Sequence, residues 1–453
     1  MQISLIISIF VSFILLLVSG SYASFLFSLL ILIIGSGAAM LFRKEHRVTG
    51  AMIFYIVNSF YSIFALIHYI DAIYYNNYIF RDEYGSFIPL ANYLANSSSI
   101  SELFNVTYNS TISNKNAGYN FYIGSIAYFA QNYLDGNSEL LLFLSSVLFG
   151  SLLSVLLYRI ISNYCNNKVS IKYTLLFMFL SPIVLFSFSL LRDIHIAFFY
   201  LCVIFIVLRP FSLKGLFWLI MSIIITLNLR EQSGIFLYVF LLYYLYKKLK
   251  QNKIAISLLL ILFFYIGYNF IIDFINDSIN VFEHTSEVYT EKSLNNYASA
   301  DAGSLGVKIK TLPSPFNEII SILYSQIAPF PPWAGFIDIS NIYNLLINLF
   351  HILYSIFWYT IIFSLIKWFI LRRKYLLVSF DLKILLLIAL LLIILNLVNI
   401  GHRRIMYVYP IIYFVYVIIN TKLLTRKQIN TTLYQSSFSY LALIVLYLIV
   451  KFI

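Results

Sequence analysis

Five arginines in this chain stand beside or between long apolar runs: Arg81, Arg192, Arg230, Arg403 and Arg404. A guanidinium offers a planar fork of donors that matches a phosphate at two points. Arginines gathered at one boundary of an apolar layer therefore suit a phosphate or pyrophosphate carried on a lipid. The plainer alternative for each is snorkelling to lipid headgroups. Arg81-Asp82-Glu83 opens a polar stretch reading RDEYGSFIPLANYL, with His68 and Asp71 one helical turn apart just upstream. A carboxylate pair at such a boundary can take a proton from a hydroxyl, which makes Asp82 and Glu83 candidate general bases. Leu191-Arg192-Asp193, with His195, lies in a break too short to have structure of its own. Leu229-Arg230-Glu231-Gln232 is placed in the same way, and either Arg-acid pair could equally be a local ion pair. Gly401-His402-Arg403-Arg404 precedes MYVYP at an expected helix start, where free N–H groups and the helix dipole favour an anion. A later stretch reads LPSPF and then LYSQIAPFPPW. Its prolines hold the backbone extended. Tyr324, Phe330 and Trp333 there fit either an aromatic belt at the interface or stacking on sugar rings.

The elements that must position these groups are set by composition. The chain has 453 residues, 61% of them hydrophobic and 11% charged, with a mean hydropathy of +0.88. That is too few charges to solvate a soluble surface. Apolar runs long enough to cross about 30 Å of hydrocarbon recur along the chain. They do not alternate in polarity, which excludes a β-barrel and leaves continuous helices. The fold class expected is all-α: one polytopic membrane helix bundle over residues 1–453, with about 12–13 transmembrane helices. Helices are expected near 3–19, 22–42, 50–70, 139–160, 173–190, 194–208, 215–229, 234–247, 255–272, 343–370, 384–400 and 407–421, with a last apolar run at 437–453. The first run lacks a basic leader and reads as a retained helix. Cys165 and Cys202 form no CxxC pattern, so neither a disulfide framework nor a zinc site is expected.

Charge sets the expected orientation. Six polar breaks, beginning near Arg43, Arg159, Arg209, Lys247, Lys367 and Lys422, hold 20 of the 30 Lys and Arg but only two acids, Glu45 and Asp381. The other breaks hold 16 acids and nine basic residues. By the positive-inside rule the first set is cytoplasmic. Two large loops, 71–138 and 273–342, then face the other side, as do the charged breaks at Arg192, Arg230 and Arg403. The net charge of +12 is thus a matter of topology, and no nucleic-acid partner is expected.

The run GYNFYIGSIAYF, followed by ELLLFLSSVLFGSLLSVLLYRIISNY and LLFMFLSPIVLFSFSLLRDIHIAFFYL, resembles membrane glycosyltransferases of the GT-C type. It is most similar to the Wzy-type polymerases of O-antigen and capsule repeat units. The shared features are an acidic first outer loop, a helix ending in Ser-Pro, an LRD break, an aromatic proline loop and a late RR…YP helix. They extend from Asp71 to about Tyr413. The resemblance implies a GT-C-like bundle in a bacterial inner (cytoplasmic) membrane. It implies a transferase that joins undecaprenyl (polyprenyl) pyrophosphate-linked oligosaccharides at the periplasmic face into a surface polysaccharide such as that of lipopolysaccharide. Asp82, Glu83 or Asp193 would take the hydroxyl proton. Arg81, Arg192, Arg230, Arg403 and Arg404 would hold the pyrophosphate. His402, Tyr324, Gln326 and Trp333 would meet the sugar. No cofactor is implied, and metal dependence is left open. Membrane lipids, a flippase and a chain-length regulator are the implied partners. Two competing readings are a GT-C transferase with a polyprenyl-phosphate sugar donor and a flippase for lipid-linked oligosaccharides. Two long outer loops and the lack of a duplicated half weigh against the flippase.

The charge pattern makes a direct prediction. With Cys165 and Cys202 replaced, an impermeant thiol reagent added outside should label a cysteine at position 301 and spare one at 250 or 373. The reverse pattern would overturn the orientation.

Overall fold

A run of apolar residues in lipid can satisfy its backbone only within itself, and the chain does so by forming helices throughout. The computed structural model describes residues 1–75, 80, 82–109, 116–136, 138–249, 313, 316, 320, 330–335, 342–395 and 405–452. These residues contain no strand and are overwhelmingly helical. The first helices are α1 (Gln2–Ser19), α2 (Tyr22–Met40) and α3 (Lys44–Tyr75). Three shorter ones follow: α4 (Ile88–Ala95), α5 (Ile100–Asn109) and α6 (Ala117–Tyr133). Next come α7 (Glu139–Ser162), α8 (Asn167–Leu180), α9 (Ile183–Phe188), α10 (Asp193–Val207), α11 (Leu213–Leu229) and α12 (Glu231–Leu249). The last four are α13 (Ile342–Leu365), α14 (Phe380–Leu395), α15 (Tyr409–Ile418) and α16 (Arg426–Phe452).

Among the described residues seven segments are long and apolar enough to cross a membrane. They are Gln2–Ser19, Tyr22–Met40, Lys44–Tyr75, Glu139–Ser162, Ile342–Phe369, Met406–Leu423 and Arg426–Ile449. Asp193–Val207 and Leu213–Leu229 are shorter apolar helices. The apolar run at 437–453 is thus part of a long helix, α16, which runs antiparallel to α13. Expected helix 255–272 lies outside the described residues, as do the end of 384–400 and most of 273–342. The expected helix at 173–190 is broken in two. Pro182 has no N–H to donate and clashes with the preceding turn, so α8 stops at Leu180, Ser181 turns extended, and α9 restarts. The stretch 71–138, expected as a loop, begins inside α3 and then builds α4, α5 and α6. Ser98 donates its N–H and hydroxyl to the Glu102 carboxylate at 2.6 Å, and Ser99 accepts the Glu102 N–H, which caps α5.

Helix α7 is the centre of the bundle, buried along nearly all its length against α3, α2, α9 and α10. Helices in lipid associate through close packing of small residues and hydroxyl pairs. Ser8 pairs with Ser59 at 2.8 Å, joining α1 to α3, and Ser12 pairs with Ser28 at 2.7 Å, joining α1 to α2. On α16 the pairs are Tyr359 with Ser439 at 2.8 Å and Ser355 with Tyr440 at 2.7 Å. The outward faces of α1 and α16 expose Phe10, Leu17, Phe438 and Leu441, which is tolerable only against hydrocarbon.

The turns expected to be cytoplasmic meet at one end. Arg43, Arg159 and Arg209 lie within electrostatic reach of one another, and Lys247 pairs with Asp381 at 3.0 Å. The charged breaks at Arg192 and Arg230 lie at the other end. Helix α15 starts between the two: Tyr407 lies against Tyr200 at 4.4 Å and Tyr409 stacks on Trp358 at 4.1 Å.

At Gly150 on α7, an added Cβ would sit 2.6 Å from the Ser187 hydroxyl and 3.1 Å from the Tyr61 ring. Gly150→Val should therefore lower stability by about 1–3 kcal/mol through overpacking. The measurement is the midpoint of thermal unfolding in detergent, and an unchanged midpoint would contradict this packing.

Candidate functional site

The end of the bundle opposite the basic turns holds two buried polar assemblies. The first begins with the break between α9 and α10. When α9 ends at Phe188, the next N–H groups have no helical partner in an apolar interior. The Glu83 carboxylate supplies one, with Oε1 accepting the Leu190 N–H at 2.7 Å. The same carboxylate accepts the Phe80 N–H at 3.2 Å and lies 3.2 Å from His68 Nε2. His68 Nδ1 meets the Tyr343 hydroxyl at the start of α13. A neutral imidazole satisfies this set by donating through Nε2 and accepting the tyrosine hydroxyl at Nδ1. His68 and Glu83 are fully shielded from solvent, and Tyr343 and Asp71 nearly so. Tyr343 stacks on His68 at 5.4 Å, and Phe143 closes its other side at 4.8 Å. Carboxylate, imidazole and phenol thus tie together α3, the turn before α4, the α9–α10 break and α13.

The second assembly joins α10 to α11. Asp193 begins α10, where a helix N-terminus favours a negative charge, and Arg230 ends α11 in an extended conformation. Arg230 Nη2 meets Asp193 Oδ1 at 2.7 Å. Asp193 has no exposure, and the arginine side chain is 12% exposed. Arg192 is half-buried, with Nε and Nη1 shielded. His195, one turn beyond Arg192, is enclosed by Phe149 at 4.2 Å, Tyr122 at 5.3 Å and Tyr119 at 5.5 Å.

Tyr119 links the two assemblies. It comes from α6, is fully buried, and lies within electrostatic reach of Arg192, Asp193 and Glu83. Its hydroxyl has no hydrogen-bond partner among the described residues. The sequence reading placed this tyrosine in a loop. The signal that could have found it is the apolar spacing of Tyr119, Ile123, Ala127 and Ala130, which is helical in period. Tyr343 was missed because nothing local distinguishes it among 38 tyrosines.

Of the residues singled out in the sequence, the structure gathers Glu83, Arg192, Asp193 and Arg230 with His68, Asp71 and His195. Asp82 is half-buried at the same turn, whereas Glu83 beside it is turned wholly inward. Glu231 opens α12. Trp333 is 39% exposed in a short 3-10 turn. Beside it Phe330 is buried with Tyr359 and Tyr440. Tyr359 lies sixteen residues along α13 from Tyr343, which at 1.5 Å per residue is roughly 24 Å deeper. Phe330 therefore does not sit in a belt at the outer interface. Phe330 and the turn that follows it lie inside the bundle, which non-helical backbone can do where protein surrounds it. Arg81, Tyr324, Gln326, His402, Arg403 and Arg404 lie outside the described residues.

No family model, curated protein or solved structure matches this chain.

Breaking the buried pair from one side should be costly, since the remaining charge is left unpaired. Asp193→Ala or Arg230→Ala alone should lose about 3–5 kcal/mol, and Asp193→Leu combined with Arg230→Met should recover much of it. Unfolding of the three variants in detergent tests this, and additive losses would show that the two groups do not act as a pair.

Proposed function

We propose that this chain is a glycosyltransferase of the bacterial inner membrane, GT-C-like in architecture, that polymerises polyprenyl-pyrophosphate-linked oligosaccharide repeats at the periplasmic face. One observation carries the reading. Helix breaks far apart in sequence bring two arginines and two carboxylates to the same end of the bundle, opposite the basic turns. A pyrophosphate on a lipid carrier would reach such a site from the membrane, with its anionic group held at the boundary.

The reaction asks little of the protein beyond placement and charge. A sugar hydroxyl of one lipid-linked repeat attacks the anomeric carbon of the other chain. A C–O bond forms there as the bond to pyrophosphate breaks, and the lipid pyrophosphate departs with the electron pair. Arg192 and Arg230, with Arg81, Arg403 and Arg404, would bind the leaving group and stabilise its developing charge. Asp193 would then serve to hold Arg230 in place. Of the two adjacent acids, Asp82 is the better base. Glu83 already accepts three hydrogen bonds and has no exposed oxygen, so it would act by positioning the break at Leu190.

Deleting the gene in its native host should collapse the ladder of surface polysaccharide to a single repeat. A loss of all surface repeats would favour a flippase, and an unchanged ladder would overturn the proposal. Restoring Arg192→Lys or Arg230→Lys should return at most about a tenth of wild-type polymer at equal protein levels, because lysine keeps the charge and loses the fork. Asp82→Asn should abolish chain growth while leaving lipid-linked donor bound.

A further inference from the structure

A cleft of about 550 Å³ opens at this same end of the bundle, between the end of α3, α4, α6 and the start of α7. That is within the range of roughly 300–1,000 Å³ found for small-ligand sites. Its polar wall is made by Asn92 and Asn96 of α4, Gln131 of α6, and Ser138 and Glu139 at the start of α7. Tyr69 and Ile73, one turn apart at the end of α3, form the apolar side. Tyr69 follows His68 in the chain, so the cleft lies about 100° around α3 from the buried imidazole.

The wall is held in place by its own hydrogen bonds. Gln131 Nε2 donates to Asn96 Oδ1 at 3.0 Å, and the Ser138 hydroxyl donates to Asn92 Oδ1 at 3.2 Å. Asn132, next to Gln131, donates to the Ala95 carbonyl at 3.3 Å and so fixes α6 against α4. Gly136 completes the rim at φ +80°, with open space where a Cβ would lie. Glu139 is half-buried and makes no ion pair or hydrogen bond among the described residues. Among the described residues no lysine or arginine lines the cleft.

We propose that this cleft binds an uncharged, hydroxyl-rich sugar unit, the end of the chain that supplies the attacking hydroxyl. The role as acceptor subsite rests on the glycosyltransferase reading, while the sugar chemistry rests on the wall itself. A side-chain amide both donates and accepts, as a sugar hydroxyl does, and three amides converge here. The half-buried Glu139 carboxylate can accept from two neighbouring hydroxyls. The same carboxylate, with no cation beside it among the described residues, repels an acidic sugar. The pyrophosphate of the donor would go to the arginines, while this cleft would hold the sugar of the acceptor, whose attacking hydroxyl reaches from it to the donor's anomeric carbon.

The test uses the full chain in lipid nanodiscs against an array of neutral and acidic oligosaccharides. Wild type should bind neutral members and bind their uronic-acid counterparts at least tenfold more weakly. Glu139→Ala combined with Asn96→Ala should weaken neutral binding at least tenfold. Should that variant fail to fold, Ile73→Trp fills the cleft from an already exposed position and should have the same effect. Arg230→Lys should keep neutral-sugar binding while losing polymer. No binding of any neutral sugar at millimolar concentration, preference for acidic sugars, or binding unaffected by Ile73→Trp would each overturn the subsite. Normal binding by wild type together with an unchanged polysaccharide ladder in the deletion strain would instead overturn the polymerase reading and leave the sugar site standing.

Discussion

The hydrogen bond from the Leu190 N–H to Glu83 is the contact on which the charged end of this bundle depends. A chain cannot break between two helices inside an apolar layer unless something accepts the N–H groups left free in the break, because no water is present to do so. Pro182 shortens α8, and α9 runs only six residues before the chain breaks again. The break is affordable in the interior because a fully buried carboxylate sits against it. That carboxylate is in turn held by His68, whose other nitrogen meets Tyr343. A buried polar network of this kind is stable only when every member is satisfied, and then it specifies one arrangement of the elements that share it. Four separate segments are aligned by this one set of contacts.

The break also places Arg192 and Asp193 where they stand. Once Leu190 is fixed, α10 must begin at Asp193, and its first turn faces the end of α11. The Asp193–Arg230 pair then closes the α10–α11 contact, with two charges largely removed from water. Such a pair is weak as a source of stability, since desolvation offsets the attraction. Its value is directional, because it fixes where one guanidinium points. A functional charge on a short turn needs such a partner if it is to hold one position at a boundary between media of very different dielectric constant.

The insertion between α3 and α7 gives the site its wall. Helices α4 and α6 pack closely on each other, and α6 sends Tyr119 inward to the charges and Gln131 outward to the cleft. One short helix therefore borders both the buried charged region and the open amide-lined cleft. The two regions share α3 as a common post, through the adjacent residues His68 and Tyr69.

Much of the bundle was legible in the sequence. Helix-length apolar runs with no alternation can satisfy their backbones in only one way, so α1, α2, α3, α7 and α13 fall close to where hydropathy puts them. The gathering of Arg43, Arg159 and Arg209 at one end was equally legible, because burying a charge costs far more than any local preference can return. The candidate arginines and acids were identifiable one by one for the same reason. Their partners were not. That Glu83 faces inward and Asp82 does not, that His68 bridges to Tyr343 across 275 residues, and that a tyrosine of a supposed loop enters the charged site are all consequences of packing. Composition and spacing report what each segment must bury. Only the tertiary structure, in which each buried polar group has to find an acceptor or donor from another segment, decides which residue meets which.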